Sequence, residues 1–186
     1  MNTDIQLSDG LIFLRQPKAS DVLGLYLAVV ESLSDLSPWL DWATDAYDEA
    51  STYRWLNNVQ IAWTHSSAFH FVITDARSGE TIGCCSLDGI DKEKHSCNLG
   101  YWVRSSRTRQ GIASRAVRLA AQFAFDTLKM LQVEILIAAE NIASQRIAQK
   151  IGAHHKGLLT DGLVVHTTVY DAVKFVLIPA DMGLSG

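Results

Sequence analysis

One stretch of the sequence decides the fold: Arg107-Thr108-Arg109-Gln110-Gly111-Ile112-Ala113-Ser114, which links a predicted strand to a long predicted helix. The first backbone N–H groups of a helix have no partner within it, and the helix dipole places partial positive charge there. The small residues Gly111 and Ala113 let a ligand approach these groups. The stretch therefore predicts a phosphate site, with an ordinary exposed basic loop as the alternative. Nearby positive charge comes from Arg104, Arg107 and Arg109.

Two familiar phosphate loops are absent from the sequence. It contains no G-x-x-x-x-G-K-[ST] motif and no G-x-G-x-x-G motif followed by an acidic residue. The expected ligand is therefore a pyrophosphate compound other than a nucleoside triphosphate or a dinucleotide.

Hydrophobic periodicity around this stretch predicts alternating strands and helices. The end of the chain has the order strand, helix, strand, helix, strand, which favours a parallel pair inside a mixed sheet. We expect one α/β domain over residues 1–186, with about seven strands and about four helices. Strands are predicted at 11–15, 69–74, 81–87, 97–103, 133–138 and 164–177, and helices begin near residues 22, 53, 112 and 143.

Composition excludes several classes of protein. The chain has 186 residues, 48% of them apolar, and a net charge of −4, which fits one domain with a full core and provides no general attraction for nucleic acid. The longest apolar runs are too short to cross a membrane. Residues 1–10 are polar and lack a secretory leader, and the three cysteines are expected to be free thiols, so we expect a cytoplasmic protein.

Four short runs carry a resemblance to a known family. Leu99-Gly100-Tyr101-Trp102-Val103, the loop ending at Ala113, Asn141-Ile142-Ala143-Ser144 and Lys150-Ile151-Gly152-Ala153 resemble motifs of the Gcn5-related N-acetyltransferases (GNAT), in their RimJ/RimL-like group. The resemblance extends in order from about residue 11 to 179. It implies a GNAT-like, mostly antiparallel sheet with a central parallel pair and acetyl-CoA as cosubstrate without a metal. A homodimer is expected by analogy with relatives.

The resemblance also assigns residues to acetyl-CoA. The family loop is written [RQ]-x-x-G-x-[GA], and aligning its first glycine with Gly111 places Thr108 where Arg or Gln is common. The pantetheine arm is expected between the fourth and fifth strands of the family, near the main chain of Trp102 and Val103, where the Val103 N–H would polarise the thioester. The implied pyrophosphate residues are Arg109, Gln110, Gly111, Ile112, Ala113 and Ser114.

Asn141 and Ser144 allow two interpretations. Both residue types commonly cap helices, and they lie where a predicted helix begins. The resemblance implies instead that the Asn141 amide binds pantetheine and that the Ser144 hydroxyl is the acid that protonates the thiolate leaving group.

No general base is evident in the sequence. Many relatives carry Glu on the fourth strand where this chain has Asn98, which cannot accept a proton. An α-amine with a pKa near 8 is roughly one-tenth neutral at pH 7, whereas lysine is far less so. A weak base would therefore suffice for an α-amine acceptor. Loop carboxylates that could face the cleft are Asp88, Asp91, Glu93 and Asp161.

Aromatic residues between the first two helices are candidates for the acceptor site. Trp39 and Trp42 are either packing residues or stack on the acceptor, while Trp55 and Trp63 are expected in the core. Asn98 and Tyr101 complete the candidate substrate contacts. The histidines show no zinc-site spacing, so no metal is expected.

These expectations define an N-acetyltransferase that moves acetyl from acetyl-CoA to a primary amine in a ternary complex. The first candidate acceptor is a protein or peptide N-terminal α-amine, such as that of a ribosomal protein. The alternatives are a small amine, either an aminoacyl-type antibiotic or a polyamine, and a non-catalytic acyl-CoA-binding module. Neither a nucleic acid nor a membrane is expected as a partner.

Overall fold

The secondary structure follows the predicted alternation. A computed structural model describes residues 5–183. Within them, eight strands and four α-helices follow the order β1 (Gln6–Ser8), β2 (Ile12–Arg15), α1 (Val22–Leu36), α2 (Glu49–His65), β3 (Phe69–Asp75), β4 (Thr81–Asp91), β5 (Ser96–Val103), α3 (Ile112–Asp126), β6 (Gln132–Ala138), α4 (Ile142–Lys150), β7 (His154–Val165) and β8 (Thr168–Leu177).

All strands form one sheet in the order β1-β2-β3-β4-β5-β6-β8-β7. Neighbouring strands are antiparallel except β5 and β6, which are parallel and pair from Ser96↔Gln132 to Asn98↔Glu134. Both strands continue beyond this short pairing, β5 to Val103 and β6 to Ala138, but within the described residues they form no further pairs with each other. The predicted mixed sheet with a central parallel pair is confirmed, and the pair opens into a cleft at its carboxyl end.

The main hydrophobic core lies between the sheet and α3. Phe123 of α3 contacts Phe69 and Phe71 of β3, each at 5.4 Å between ring centroids. The alanines of α3 allow the helix to approach the strands closely, because small side chains shorten the distance between packed elements. Those that are fully buried are Ala116, Ala120, Ala121 and Ala124. This packing positions the N-terminus of α3 beside the cleft.

The opposite face of the sheet is covered by α1 and the beginning of α2. Its buried cluster is small: Leu25, Val72 and Cys84, with Trp55 and Trp102 packed against it. The main core contains many more buried side chains. A pocket therefore remains between this face and the segment that joins α1 to α2.

The predicted single strand over 164–177 is wrong in its detail. The structure has a hairpin in which β7 and β8 pair around a tight turn at His166, whose φ is 53°. β7 is an edge strand that is mostly exposed, so it lacks the hydrophobic alternation that marks a half-buried strand. The short, exposed β1 was missed for the same reason.

Two further expectations concern the whole chain. The three cysteines are free and buried. No helix within the described residues is long and apolar enough to cross a bilayer. The expectation of no secretory leader concerns residues 1–10, of which 1–4 lie outside the described residues.

Candidate active site

The loop before α3 forms a cradle of main-chain N–H groups. Gly111 is the N-cap of α3 with φ 77°, and Arg109 is also left-handed with φ 60°. The first bond of the helix runs from the Arg115 N–H to the Gly111 carbonyl, so the N–H groups of Ile112, Ala113 and Ser114 have no partner within the helix. A Cβ on Gly111 would meet nothing within 4 Å. The space over these donors is open.

A cavity of about 730 Å³ lies over this cradle. Four of the six residues predicted to bind pyrophosphate line it: Arg109, Gln110, Gly111 and Ser114. The other two, Ile112 and Ala113, do not line the cavity. Three further cations line the cavity: Arg115, Arg118 and Lys150. The carboxylate of Asp9, which also lines it, forms an ion pair with Arg115 at 2.6 Å. The cavity therefore carries an excess of positive charge, and its residues fit a pyrophosphate group.

Two of the three arginines predicted to supply charge do not face this cavity. Arg104 forms ion pairs with Glu31 and Glu80, and Arg107 pairs with Glu80 at 2.9 Å and with Asp75. These pairs attach the loop to α1 and to the β3–β4 turn. Their guanidinium groups are occupied by carboxylates, so they hold the loop in place instead of binding the anion.

The cavity's other cations come from elements that the loop motif does not include. Arg118 follows Ser114 by four residues, so the two lie on one face of α3. Lys150 lies in the last turn of α4. The four-residue spacing along α3 was a readable signal for Arg118, whereas the position of Lys150 depends on the tertiary fold.

The main-chain N–H groups of β5 point alternately towards β4 and towards the cleft. In an antiparallel ladder, successive residues direct their N–H and C=O groups to alternate sides. The Arg104 N–H donates to the Ile82 carbonyl of the β4 side at 2.8 Å. Trp102, two residues earlier, is therefore also directed at β4, while Tyr101 and Val103 are directed at the cleft. The expected main-chain role fits Val103 and not Trp102. Trp102 instead lines the pocket between the sheet and the segment that joins α1 to α2.

Ser144 and Tyr101 meet across the cleft. Their hydroxyl oxygens are 2.8 Å apart, and the Tyr101 hydroxyl also lies 3.2 Å from the Ser144 carbonyl oxygen. Burial raises the pKa of Tyr101 to about 12, although the hydrogen bond to Ser144 opposes the shift. Tyr101 therefore keeps its proton at neutral pH and holds Ser144 in a fixed position.

Asn141 caps α4. Its Oδ1 accepts a hydrogen bond from the Ser144 N–H at 3.0 Å. This contact uses the oxygen of the side-chain amide and leaves its NH₂ group to donate elsewhere. The capping interpretation and the pantetheine interpretation are thus compatible.

On the other side of the cleft lies an acceptor pocket of about 740 Å³, a size typical of small-molecule sites. Trp42 lies at its mouth, with ring centroids 6.0 Å from Trp102 and 5.6 Å from Tyr47. Trp39 packs on Tyr170 at 6.3 Å and does not line the pocket. Trp55, expected in the core, also lines the pocket. Trp63 packs against the core as predicted.

Polar side chains share the floor of the acceptor pocket. Asp88 accepts hydrogen bonds from Asn98 Nδ2 at 3.0 Å and from Ser86 Oγ at 3.1 Å. His70 lies opposite Ser86 in the register of β3 and β4. Of the predicted residues, Asp88 lines the pocket and Asn98 does not. His70 was not predicted, although a single histidine inside an otherwise apolar strand was a readable signal.

The other three carboxylates considered as bases lie away from the pocket. Asp91 accepts from two main-chain N–H groups of its own turn and pairs with Lys94 at 3.2 Å. Glu93 is exposed, and Asp161 is exposed on the β7 edge. None of them lines the acceptor pocket. Residues 5–183 contain no group of three or more His, Cys, Asp or Glu side chains that could hold a metal ion.

The cavity at the N-terminus of α3 and the pocket on the other face of the sheet lie on either side of the opening between β5 and β6. This arrangement fits a transferase that uses a phosphorylated acyl carrier. The family described as "Acetyltransferase (GNAT) domain" matches residues 12–154, and the chain belongs to this family. The protein is therefore an acetyltransferase with acetyl-CoA as its acetyl donor, as predicted.

Individual relatives agree with this family. A Bacillus subtilis protein named "Putative ribosomal N-acetyltransferase YdaF" is 28% identical over 90% of this chain and 90% of its own length. The solved structure of RimL, a ribosomal L7/L12 alpha-N-protein acetyltransferase in complex with coenzyme A, has a TM-score of 0.85 at 20% identity, covering 94% of this chain and 97% of that one. The microcin C7 self-immunity acetyltransferase MccE, solved with acetyl-CoA and AMP, has a TM-score of 0.87 at 18% identity, covering 96% and 97%.

Substitution of Asn141 separates its two roles. Asn141→Asp keeps the capping oxygen but removes the NH₂ donor, whereas Asn141→Ala removes both. We expect Asn141→Asp to retain the stability of the protein and to bind acetyl-CoA about tenfold more weakly, the loss of one hydrogen bond. Asn141→Ala should also lose about 1 kcal/mol of stability. Calorimetric titration and urea unfolding measure the two effects, and unchanged affinity in both variants would leave Asn141 with the cap alone.

Proposed function

We propose that the protein acetylates the α-amine of a peptide or protein N-terminus by direct attack of the amine on acetyl-CoA. The observation that carries the proposal is the position of Tyr101. Tyr101 lines the acceptor pocket beside Gly100 and Trp102, while its side chain lies on the core face of β5 and its hydroxyl contacts Ser144 at the cleft. The donor side and the acceptor side therefore meet at one pair of residues.

On the donor side, each predicted group has a defined task. Acetyl-CoA supplies an activated thioester. The N–H groups at the start of α3 bind its pyrophosphate, and the Asn141 NH₂ group donates to its pantetheine arm. The Val103 N–H, directed into the cleft, donates to the thioester carbonyl and stabilises the negative charge that develops there.

Ser144 is the proposed acid. Its hydroxyl protonates the sulfur as the C–S bond breaks, because a thiol is a much better leaving group than a thiolate in a buried cleft. The Tyr101 hydroxyl is protonated at neutral pH and hydrogen-bonded to Ser144, so it can pass a proton to Ser144 and regain one from solvent. Both residues lie on regular elements, β5 and α4, which fix their geometry.

Three features support an N-terminal α-amine as acceptor. The pocket is open at one end and large enough for a terminal residue, its aromatic walls suit an amino-acid side chain, and Asp88 on its floor suits an ammonium group. An α-amine is also neutral more often than lysine at pH 7. The names of YdaF and RimL describe acetyltransferases of ribosomal proteins.

The preferred acceptor can be measured directly. We expect kcat/KM at pH 7 to be at least about tenfold higher for short peptides with a free α-amine than for the same peptides with a blocked N-terminus and one lysine, because far less lysine is neutral. Thiol release with a colorimetric reagent measures both rates. Equal rates, or a preference for lysine, would contradict the α-amine proposal.

A second candidate acceptor is a small aminoacyl nucleotide. The pair formed by Trp42 and Trp102 could stack on a flat ring, and the structural neighbour MccE was solved with AMP. Faster acetylation of an aminoacyl adenylate analogue than of any peptide would favour this candidate. Cytoplasmic location and a homodimer stay predictions.

A further inference from the structure

His70 lines the acceptor pocket, and the proposed function gives it no role. It lies on β3 between Phe69 and Phe71, which point to the opposite face into the main core. Its ring lies edge-on to Trp55 at 5.9 Å and is mostly buried. The hydrogen bond from Trp63 Nε1 to the His70 carbonyl, at 3.0 Å, fixes the main chain at this position. Among the described residues, no hydrogen bond reaches the imidazole nitrogens.

Strand register brings a carboxylate to the same surface. His70 pairs with Ser86, and Ser86 pairs with Gly100, so the three lie in one row across β3, β4 and β5. Asp88 lies two residues further along β4, on the same face. Gly100 has no side chain and ends the row beside the cleft, with the Ser86 hydroxyl over it.

The carboxylate of Asp88 is held by its neighbours in the sheet. Asn98 is the direct cross-strand partner of Asp88, and its Nδ2 donates a hydrogen bond to Asp88 at 3.0 Å. Asp88 is thereby held in one orientation, with a second bond from Ser86.

We propose that His70 accepts the proton of the attacking amine and that Asp88 binds the acceptor's ammonium group before reaction. This inference rests on the proposed function, since it concerns the acceptor of that same site. The bound ammonium first loses one proton to solvent, which frees the nitrogen lone pair. That lone pair forms the bond to the acetyl carbon while the C–S bond breaks and its electron pair goes to sulfur. A second proton passes from nitrogen through water to His70, one passes from Ser144 to sulfur, and solvent exchange returns both residues to their starting states.

Protonation states fit this role. Burial lowers the pKa of His70 below its usual 6.5, although the nearby carboxylate of Asp88 opposes the shift. The imidazole is therefore mostly neutral at pH 7 and able to accept a proton. As pH falls through this pKa, His70 becomes protonated and the rate should fall.

The other titratable groups that line the pocket should not make the rate fall at low pH. Besides Asp88, the charged group is Arg54 of α2. Burial raises the pKa of each remaining titratable group, so all of them stay neutral at pH 5–8. They are Tyr47 from the segment joining α1 to α2, Cys84 and Cys85 from β4, and Tyr101 from β5.

The test compares His70→Gln with His65→Gln. His65 lies at the exposed end of α2, outside both cavities. With a peptide α-amine acceptor, we expect His70→Gln to lower kcat/KM at pH 7 about 100-fold. Below pH 6.5 the wild type should fall about 100-fold per pH unit, because both the amine and His70 become protonated, whereas His70→Gln should fall only about tenfold per unit from the amine alone. His65→Gln should match the wild type, and all three proteins should bind acetyl-CoA equally. Added imidazole should restore part of the activity of His70→Ala.

The outcomes separate this inference from the proposed function. Wild-type transfer to peptide α-amines that is unchanged in His70→Gln would overturn the role of His70 and leave the proposed function standing. Wild-type binding of acetyl-CoA without transfer to any α-amine would overturn both. Low activity in His70→Ala that imidazole fails to restore would also overturn the proton-acceptor role. Asp88→Asn should raise KM for the cationic acceptor more than it lowers kcat.

Discussion

Replacement of Gly111 by Trp is expected to weaken acetyl-CoA binding about 1,000-fold. Gly111 has φ 77°, a conformation that side chains rarely adopt, and the space above it is open for the ligand. A bulky side chain would occupy the space over the N–H groups of Ile112 and Ala113. Losing two charge-assisted hydrogen bonds at about 2 kcal/mol each amounts to about 4 kcal/mol, or about 1,000-fold in Kd.

Gly79→Trp is the matched control for this experiment. Gly79 has φ 73° and a Cβ there would also meet nothing within 4 Å, but it lies in the β3–β4 turn and lines neither cavity. Both variants therefore carry the same backbone strain, and only Gly111→Trp should lose affinity in calorimetric titration. Similar affinity for the two variants would mean that the loop before α3 does not hold the pyrophosphate.

Ser144→Ala is expected to lower kcat between about 100- and 1,000-fold, the range for loss of a positioned general acid. The affinity for acetyl-CoA should change little, because the cap of α4 uses the Ser144 N–H, which alanine retains. Tyr101→Phe should lower kcat less, since it removes the hydroxyl that orients Ser144 but leaves the acid. Steady-state rates of thiol release and titration of acetyl-CoA measure the two quantities separately.

Two results would contradict the role of Ser144. Turnover by Ser144→Ala equal to that of Ser67→Ala, an exposed serine after α2, would remove it as the acid. A parallel loss of acetyl-CoA affinity and kcat would make Ser144 a binding residue.

Much of the fold was predictable because its signals are local. The periodicity of α3 and the β-branched run of β6 identify their elements without tertiary information. β7 was not predictable in this way, since its exposed edge position removes the alternation of apolar and polar residues. β7 forms a hairpin with β8. The sequence predicted the strand β8 but not β7, its partner in the hairpin.

The residues of the site also fall into two groups: those in local sequence motifs and those that only the tertiary fold brings together. The loop at Gly111 and the pair of Asn141 and Ser144 lie in continuous motifs, so sequence alone could propose them. His70 and Asp88 lie 18 positions apart and share a surface only through the register of β3 and β4. The ion pairs of Arg104 and Arg107 likewise depend on carboxylates that only the fold brings close, from α1 and the β3–β4 turn.

The most direct test of the central claim uses one peptide that contains both a free N-terminal α-amine and an internal lysine. The protein is incubated with this peptide and acetyl-CoA, and fragmentation mass spectrometry locates the acetyl group. We expect acetyl on the α-amine, formed by the wild type and almost absent with Ser144→Ala. Acetyl on the lysine side chain, or equal labelling by the two proteins, would contradict it.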